Sequence, residues 1–240
     1  MKILALDTSN HPMSIALVED NLLKATTTIN TIRNHSIYVL PTINDLMAKA
    51  GWQPADLDRV VVAQGPGSYT GIRIAVTTAK TLAMTLGIDL VGVSSLKALA
   101  AGIAPVTNAL LVPFFDARRG NVFAGSYRWQ DGELTGVSAD SHLAFASLLD
   151  RLPSDQPVYL LGEMTPKLAA AVPELPANVT LLPAAAMVST FALARLGKTA
   201  APVADVDAFI PNYLRLTEAE ANWQKAHPGQ SKTNYVHEVK

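Results

Sequence analysis

Residues 2–24, KILALDTSNHPMSIALVEDNLLK, and residues 109–137, ALLVPFFDARRGNVFAGSYRWQDGELTGV, spell one pattern twice. In the first, Lys2 to Leu6 reads as a strand buried on both faces and ends in Asp7-Thr8-Ser9. A short turn leads to a second strand, Ser14 to Val18, and the Asp20-Asn21 turn to a third starting at Leu22. In the second, Ala109 to Phe115 ends in Asp116-Ala117-Arg118. The Arg119-Gly120-Asn121 turn opens Val122 to Trp129, and the Asp131-Gly132 turn opens Glu133 to Val137.

Each repeat is followed by helical patterning. Asn34 can cap a helix from His35 to Ala50 with Gly51 just beyond it, and the Arg59 strand follows. The second half continues with a helix near Leu143 to Leu149, a strand at Val158 to Leu161, and helices near Pro166 to Ala171 and Ala184 to Leu196. Strand, Asp, hairpin, hairpin, helix is the order in which each lobe of the duplicated actin-like ATPase and sugar-kinase architecture begins. The expected class is therefore α/β, a duplicated actin-like ATPase (ribonuclease H-like) fold with two lobes of mixed sheet flanked by helices. The lobes are expected at 1–102 and 103–222, hinged at Ser94 to Pro105, with 223–240 a polar, mobile tail.

Between the repeats, residues 59–86 read RVVVAQGPGSYTGIRIAVTTAKTLAMTL. This strand, glycine loop and helix look like a phosphate cradle but fit no standard one. Ile72 and Arg73 follow Gly71 where a Walker loop needs Lys and Ser/Thr. Gly65, Gly67 and Gly71 are one residue too widely spaced for the dinucleotide fingerprint, and no acidic residue follows at the end of a second strand. What remains is a turn capped by Ser68 or Thr70 at a helix N-terminus, able to hold an anion or to serve as plain architecture, and architecture is preferred.

The helix itself is apolar most of the way round. Ile72, Ala75, Val76, Ala79, Leu82, Ala83 and Leu86 form a core-facing stripe, with Ile74 and Met84 off it. The ladder Ala75, Ala79, Ala83 would let a second helix approach closely, or the helix is covered by its own chain. Arg73, a cation opposing the helix dipole in the first turn, points to an acidic partner or a nearby carboxylate.

Composition bounds the function. Only 16% of the 240 residues are charged, and the net charge of −1 offers no cation surplus for gripping a nucleic-acid backbone unaided. With no cysteine, disulfides, thiolate metal sites and a Cys nucleophile are excluded. No apolar run approaches a membrane span, and the expected location is the cytoplasm.

Asp7-Thr8-Ser9, Gly65 to Arg73, Ser94-Ser95-Leu96, Asp116-Ala117-Arg118 and Pro211-Asn212-Tyr213-Leu214-Arg215 together resemble, in that order, the motifs of the TsaB family. These are bacterial tRNA threonylcarbamoyladenosine biosynthesis proteins formerly grouped with glycoprotease-like proteins. The resemblance covers residues 1 to about 222. It implies a noncatalytic, dimerising subunit that activates a homologous catalytic chain in transferring a threonylcarbamoyl group to the adenosine beside the tRNA anticodon. It also implies an accessory ATPase subunit in the same complex, a homodimer as an option for the free protein, and only indirect contact with tRNA. No cofactor of its own is implied, with ATP, Mg²⁺ and metal belonging to the partners. Family pairing through first-lobe helices maps onto His35–Ala50 and Ile72–Leu86. The expected interface is then Arg73, Thr77, Lys80 and Met84 on the outer stripe, Ser68 and Tyr69 at its start, and His35, Tyr38, Thr42 and Asp45 on the first helix. Pro41 is expected to kink that helix. Asn121-Val122-Phe123 departs from the acidic, Val, Tyr sequence common in the family.

Catalytic parts are incomplete by this reading. A catalytic superfamily member would hold metal through a His-x-x-x-His pair, whereas His35 is followed four residues on by Val39 and the other histidines lie far apart. This argues against a metallopeptidase. An actin-like small-molecule kinase or ATPase, the alternative, would need a Gly-Gly turn where Gly162-Glu163 stands and an acidic residue in the loop at 63–67. Asp7, Thr8, Ser9 and Asp116 could form a vestigial nucleotide or Mg²⁺ cleft, or the two aspartates could simply cap strand ends by Asx-type turns, the preferred reading. No G-x-S-x-G elbow occurs for acyl transfer.

Overall fold

A computed structural model describes residues 1–30, 34–172, 174–183, 187–215, 223 and 227. Among the described residues, ten strands form two five-stranded sheets. The first holds β1 (Lys2–Asp7), β2 (Met13–Glu19), β3 (Leu22–Ile29), β4 (Arg59–Ala63) and β5 (Asp89–Val93), in the order β3-β2-β1-β4-β5. The second holds β6 (Leu110–Asp116), β7 (Asn121–Gln130), β8 (Glu133–Ala144), β9 (Val158–Leu161) and β10 (Val179–Leu182), in the order β10-β9-β6-β7-β8. Read from the opposite edge, the two orders are the same. In each, two antiparallel hairpins are followed by two parallel additions, as the duplicated pattern predicts. Asp7 and Asp116 end equivalent strands.

The helices are α1 (His35–Ala50), α2 (Tyr69–Leu86), α3 (Ser95–Ala101), α4 (Phe145–Leu149), α5 (Pro166–Ala171) and α6 (Thr190–Thr199). The period-2 alternation of β1 divides its side chains cleanly. Leu4 and Leu6 join the core under α1 and α2, while Ile3 and Ala5 enter a central core between the sheets. That central core is filled by α3 and α6 and closed on the far side by Leu111 and Phe115 of β6. Leu110, Val112 and Phe114 face the third core with α4 and α5.

The segment expected to be a hinge is therefore a helix. Leu96, Ala98, Leu99 and Ala100 of α3 are fully or almost fully buried between the sheets. Ser94 caps it by accepting from the Lys97 N–H at 3.1 Å. Helix α6 packs on β1, β2, β4 and β5, the first sheet, although it follows the second in the chain. Gly197 permits that approach, since a Cβ there would lie 2.3 Å from Val61. Buried Arg59 secures it by donating to the carbonyls of Gly197, Lys198 and Ala200 at the C-terminal end of α6, while pairing with Asp89 at 2.7 Å.

Two boundaries moved. Strand β8 runs to Ala144, seven residues beyond Val137, and α4 begins at Phe145. Ser138, Asp140, Ser141 and His142 are poor strand formers, yet Ser138, Ser141 and His142 pair with β7, across register shifts at 124–127. Helix α6 starts at Thr190, capped by Ser189, and residues 187–189 before it are not helical; the expected start at Ala184 lies outside the described residues. The expected tail, 223–240, lies outside them too, apart from Trp223 and His227.

Candidate functional site

The glycine loop and the Asp7-Thr8-Ser9 turn are built against each other. Backbone N–H of Ser68 donates to the Ser9 carbonyl at 2.7 Å, and the Thr8 hydroxyl donates to the Gly71 carbonyl at 2.7 Å. A Cβ on Gly67 would lie 2.2 Å from the Ser9 oxygen, and one on Gly71 would lie 2.0 Å from the Thr8 oxygen. These glycines make room for backbone. Ser68 caps α2 by accepting from Gly71 N–H.

The actin-like architecture implies a Mg²⁺-nucleotide, and these residues do not fit one. The Ser68 amide that would meet a phosphate is taken by Ser9. Asp7, Thr8 and Ser9 are 2%, 0% and 0% exposed, so they do not open on the cleft as the vestigial-site reading expects. Asp7 Oδ1 accepts from Ser9 N–H at 2.9 Å, and burial pushes its carboxyl up to about 6 against the lowering effect of Ser9. Asp116 does face the cleft, with its oxygens accepting from Arg118 N–H at 2.6 Å and Thr165 hydroxyl at 2.8 Å. Strand-end capping by both aspartates is what the structure holds. Glu163 is exposed beside Gly162, where a Cβ would strike the Phe114 carbonyl.

The cleft between the halves has a volume of about 470 Å³. It is lined by the start of α2, by the β6–β7 turn and by residues 212–215. This last segment straps the halves together. Asn212 N–H donates to Gln64 O at 2.8 Å, and the Arg215 guanidinium donates to Ala117 O at 3.0 Å. Tyr213 stacks on Tyr69 with ring centroids 5.0 Å apart.

On the opposite side of Tyr69, α1 and α2 enclose an apolar groove of about 430 Å³. Its walls include Val39, Leu40, Ile74 and Thr77. On the same two helices Ile37 (60% exposed), Leu40 (57%), Met84 (53%) and Tyr38 (43%) are large apolar side chains that water penalises, and Leu40 is on the groove wall. The inner stripe is as expected, since Ile72, Ala75, Val76, Ala79 and Ala83 are buried. The alanine ladder packs on this chain's own sheet and so is not the surface for another helix.

The expected interface residues divide. Arg73, Thr77, Met84, Tyr38, Asp45, Ser68 and Tyr69 are exposed, and Thr42 is half-buried. Arg73 meets no carboxylate among the described residues. It donates to the Tyr69 hydroxyl at 3.1 Å and lies over that ring. Two expectations need correcting. Lys80 is held by its own chain, donating to the Asp207 and Phe209 carbonyls at 2.8 and 2.9 Å. His35 turns inward, with Nε2 3.3 Å from the Asn10 carbonyl, and burial lowers its pKa. Asp45 pairs with Lys49 at 2.7 Å. Ile37 and Leu40 escape the sequence reading, although it singles out their neighbours Tyr38 and Thr42. Their apolar character on a face bracketed by polar residues is the available signal. The α1 helix continues through Pro41.

Comparison with known proteins adds three findings. Residues 25–223 match the family model described as TsaD, tRNA N6-adenosine threonylcarbamoyltransferase. The tRNA threonylcarbamoyladenosine biosynthesis protein TsaB of Bacillus subtilis is 41% identical over 226 residues, covering 93% of this chain and 98% of that protein. A transferase from Anaeromyxobacter dehalogenans is 32% identical over 112 residues, but these span only 40% of this chain and 34% of the transferase. The length match thus favours the former. Among solved structures, YeaZ from Pseudomonas aeruginosa superposes with a TM-score of 0.73 at 26% identity, over 89% of this chain and 99% of that one. Among the described residues no helix is long and apolar enough to cross a membrane.

Proposed function

We propose, from the premise that this chain belongs to the TsaB family of tRNA threonylcarbamoyladenosine biosynthesis proteins, that it acts as the noncatalytic, activating subunit of the complex that transfers a threonylcarbamoyl group to the adenosine next to the anticodon. Its partner is the homologous catalytic chain, and its docking surface is the outer face of α1 and α2. One observation carries this reading: Ile37, Leu40, Tyr38 and Met84 leave apolar surface exposed on α1 and α2, the two helices that enclose the groove. Such a helix pair meets another through ridges and grooves, burying area that stabilises association by about 25 cal/mol per Å² before ordering costs.

The accessory ATPase joins the assembly elsewhere, and ATP, Mg²⁺ and metal are assigned to the partner chains. The internally occupied glycine loop supports that assignment for the nucleotide. The test is co-expression with the catalytic homologue of the same organism. Tagging one chain should recover both, and the pair together with the ATPase should form threonylcarbamoyladenosine on tRNA while this chain alone does not. Failure to recover a pair at micromolar concentration would overturn the docking reading.

A further inference from the structure

Tyr69, the first residue of α2, lines both the cleft between the halves and the groove between α1 and α2. Its ring is held from two directions. On the groove side Arg73 donates to its hydroxyl at 3.1 Å and lies over the ring, 5.5 Å from the centroid. On the cleft side Tyr213 of the strap stacks on it at 5.0 Å. Upstream the strap is anchored to the first half by Asn212 N–H on Gln64 O and by Lys80 on the carbonyls of Asp207 and Phe209. Residues 213–215 then carry it across, and Arg215 donates to the Ala117 carbonyl at the root of the β6–β7 turn. Arg73, Tyr69, Tyr213 and Arg215 thus follow one another from the groove to that turn. The turn is strained. Arg118 and Arg119 sit in the left-handed region at φ 69 and 56°, which a residue with a branched-off Cβ adopts at a cost. The amides that close it, Ala117 N–H on Asn121 O at 2.9 Å and Asn121 N–H on Arg118 O at 3.1 Å, therefore open more readily than those of a regular strand pair.

We propose that Tyr69 relays occupation of the α1–α2 groove to the β6–β7 turn, so that a partner seated in the groove tightens the strap and fixes the turn across the cleft. The relay rests on the docking reading of α1 and α2. Its physical cause is the removal of water. In the free chain Arg73 is exposed and Tyr69 is 45% exposed, so water competes for the guanidinium and for the hydroxyl. A chain laid in the groove covers both. The hydrogen bond and the attraction between guanidinium and ring each strengthen as the local dielectric falls, and Arg73 has no carboxylate among the described residues to turn to instead. The ring is then held in the orientation that stacks on Tyr213. A seated strap is favoured over a loosened one, which is the differential interaction that any coupling between two sites requires. Neither Tyr213 nor Arg215 lines the groove, so the relay can be cut without altering the docking surface.

The test is amide hydrogen exchange of the full chain, free and paired with the catalytic homologue of the same organism, followed at Ala117 and Asn121. Pairing should slow both amides by at least about fivefold, the lower end of ordinary coupling between sites. Tyr213→Ala removes the stack, and Arg215→Met keeps a straight side chain but no donor for the Ala117 carbonyl. In each variant the slowing should disappear. Coupling is reciprocal, so each should weaken pairing by no more than the factor by which pairing slows exchange in wild type. Should Tyr213→Ala fail to fold, Arg215→Met, a change at an exposed residue, decides alone. A pair that forms while the two amides exchange as in the free chain overturns the relay and leaves the docking reading standing. Slowing that survives in either folded variant also overturns it, because the partner then reaches the turn by another route. Absence of any pair with the wild-type chain overturns the docking reading, and the relay with it.

Discussion

Asp7 and Asp116 make the same hydrogen bond in the two halves of the molecule. Each Oδ1 accepts from the backbone N–H two residues ahead, Ser9 at 2.9 Å and Arg118 at 2.6 Å. Their surroundings have diverged. Asp7 is buried beneath the glycine loop, whereas Asp116 stays exposed on the cleft and gains the Thr165 hydroxyl. One duplicated strand end has become internal scaffold and the other a surface feature.

That divergence has a pH signature. The Asp7 carboxyl, raised by burial from 3.8 to about 6, holds its proton more tightly in the folded state than in the unfolded one. Stability is therefore highest below the unfolded pKa and falls as pH rises from about 4 through about 6, by about 3 kcal/mol at 1.36 kcal/mol per unit. Asp7→Asn retains an oxygen for the Ser9 N–H but cannot ionise. Denaturant unfolding should find the variant equal to wild type near pH 4 and more stable by a few kcal/mol near pH 7. Parallel curves for the two proteins would show that Asp7 does not titrate on folding.

Gly67→Ala or Gly71→Ala should be severely destabilising. The added methyl would lie 2.2 Å from the Ser9 oxygen or 2.0 Å from the Thr8 oxygen, clashes that only backbone movement relieves. A cost of about 3 kcal/mol or more corresponds to a fall in Tm of roughly 10 °C for a chain of this size. Gly120→Ala, with nothing within 4 Å, should cost only the smaller penalty of a left-handed alanine. Scanning calorimetry of the three variants checks the order.

Much of this was legible in residue pattern. The strand doublets at 2–24 and 109–137 specify the topology, because alternation and turn chemistry act locally and repeat. The inner stripe of α2 followed from its period. What stayed hidden depended on residues distant in sequence. Nothing local to Lys80 indicates that its ammonium meets carbonyls at 207 and 209, and nothing at His35 announces Asn10. The helix inside the segment expected as a hinge, Ser94 to Pro105, was not legible because a seven-residue helix carries too few turns to show periodicity. Its burial comes from two sheets and α6. The Asp7 site looked like a cleft carboxylate because sequence cannot show the glycine loop folded over it.

Ser94, Tyr127 and Asp140 join the two sheets through a polar cluster no motif advertises. The Asp140 carboxylate accepts from the Tyr127 and Ser94 hydroxyls, both at 2.5 Å, and burial together with that carboxylate raises the Tyr127 pKa. Tyr127→Phe leaves a partly buried carboxylate short of one donor and should cost about 1 to 3 kcal/mol. In wild type, ultraviolet titration should show one tyrosine that ionises only when alkali unfolds the chain. Phenolate formation by all six tyrosines in the folded protein would contradict the cluster.

The docking face separates from the internal lysine by mutation. Leu40 is 57% exposed and Thr77 lies on the wall of the same groove. Leu40→Asp or Thr77→Glu puts a carboxylate where it is solvated in the free chain and desolvated on pairing. An unpaired buried charge costs about 3 to 5 kcal/mol, a loss of about two to nearly four orders of magnitude in affinity. Pull-down of the catalytic homologue should therefore vanish, and tRNA modification with it, while Tm changes by no more than a degree or two. Lys80→Ala should behave in the opposite way. It removes the cation that two carbonyls of the 207–209 segment accept from, at a cost of about 1 to 3 kcal/mol and a lower Tm. Pairing strength, compared at a temperature where the variant remains folded, should be unchanged. If Leu40→Asp pairs normally and Lys80→Ala does not, the docking surface lies on the Lys80 side of α2 and the assignment given to the α1–α2 groove is wrong.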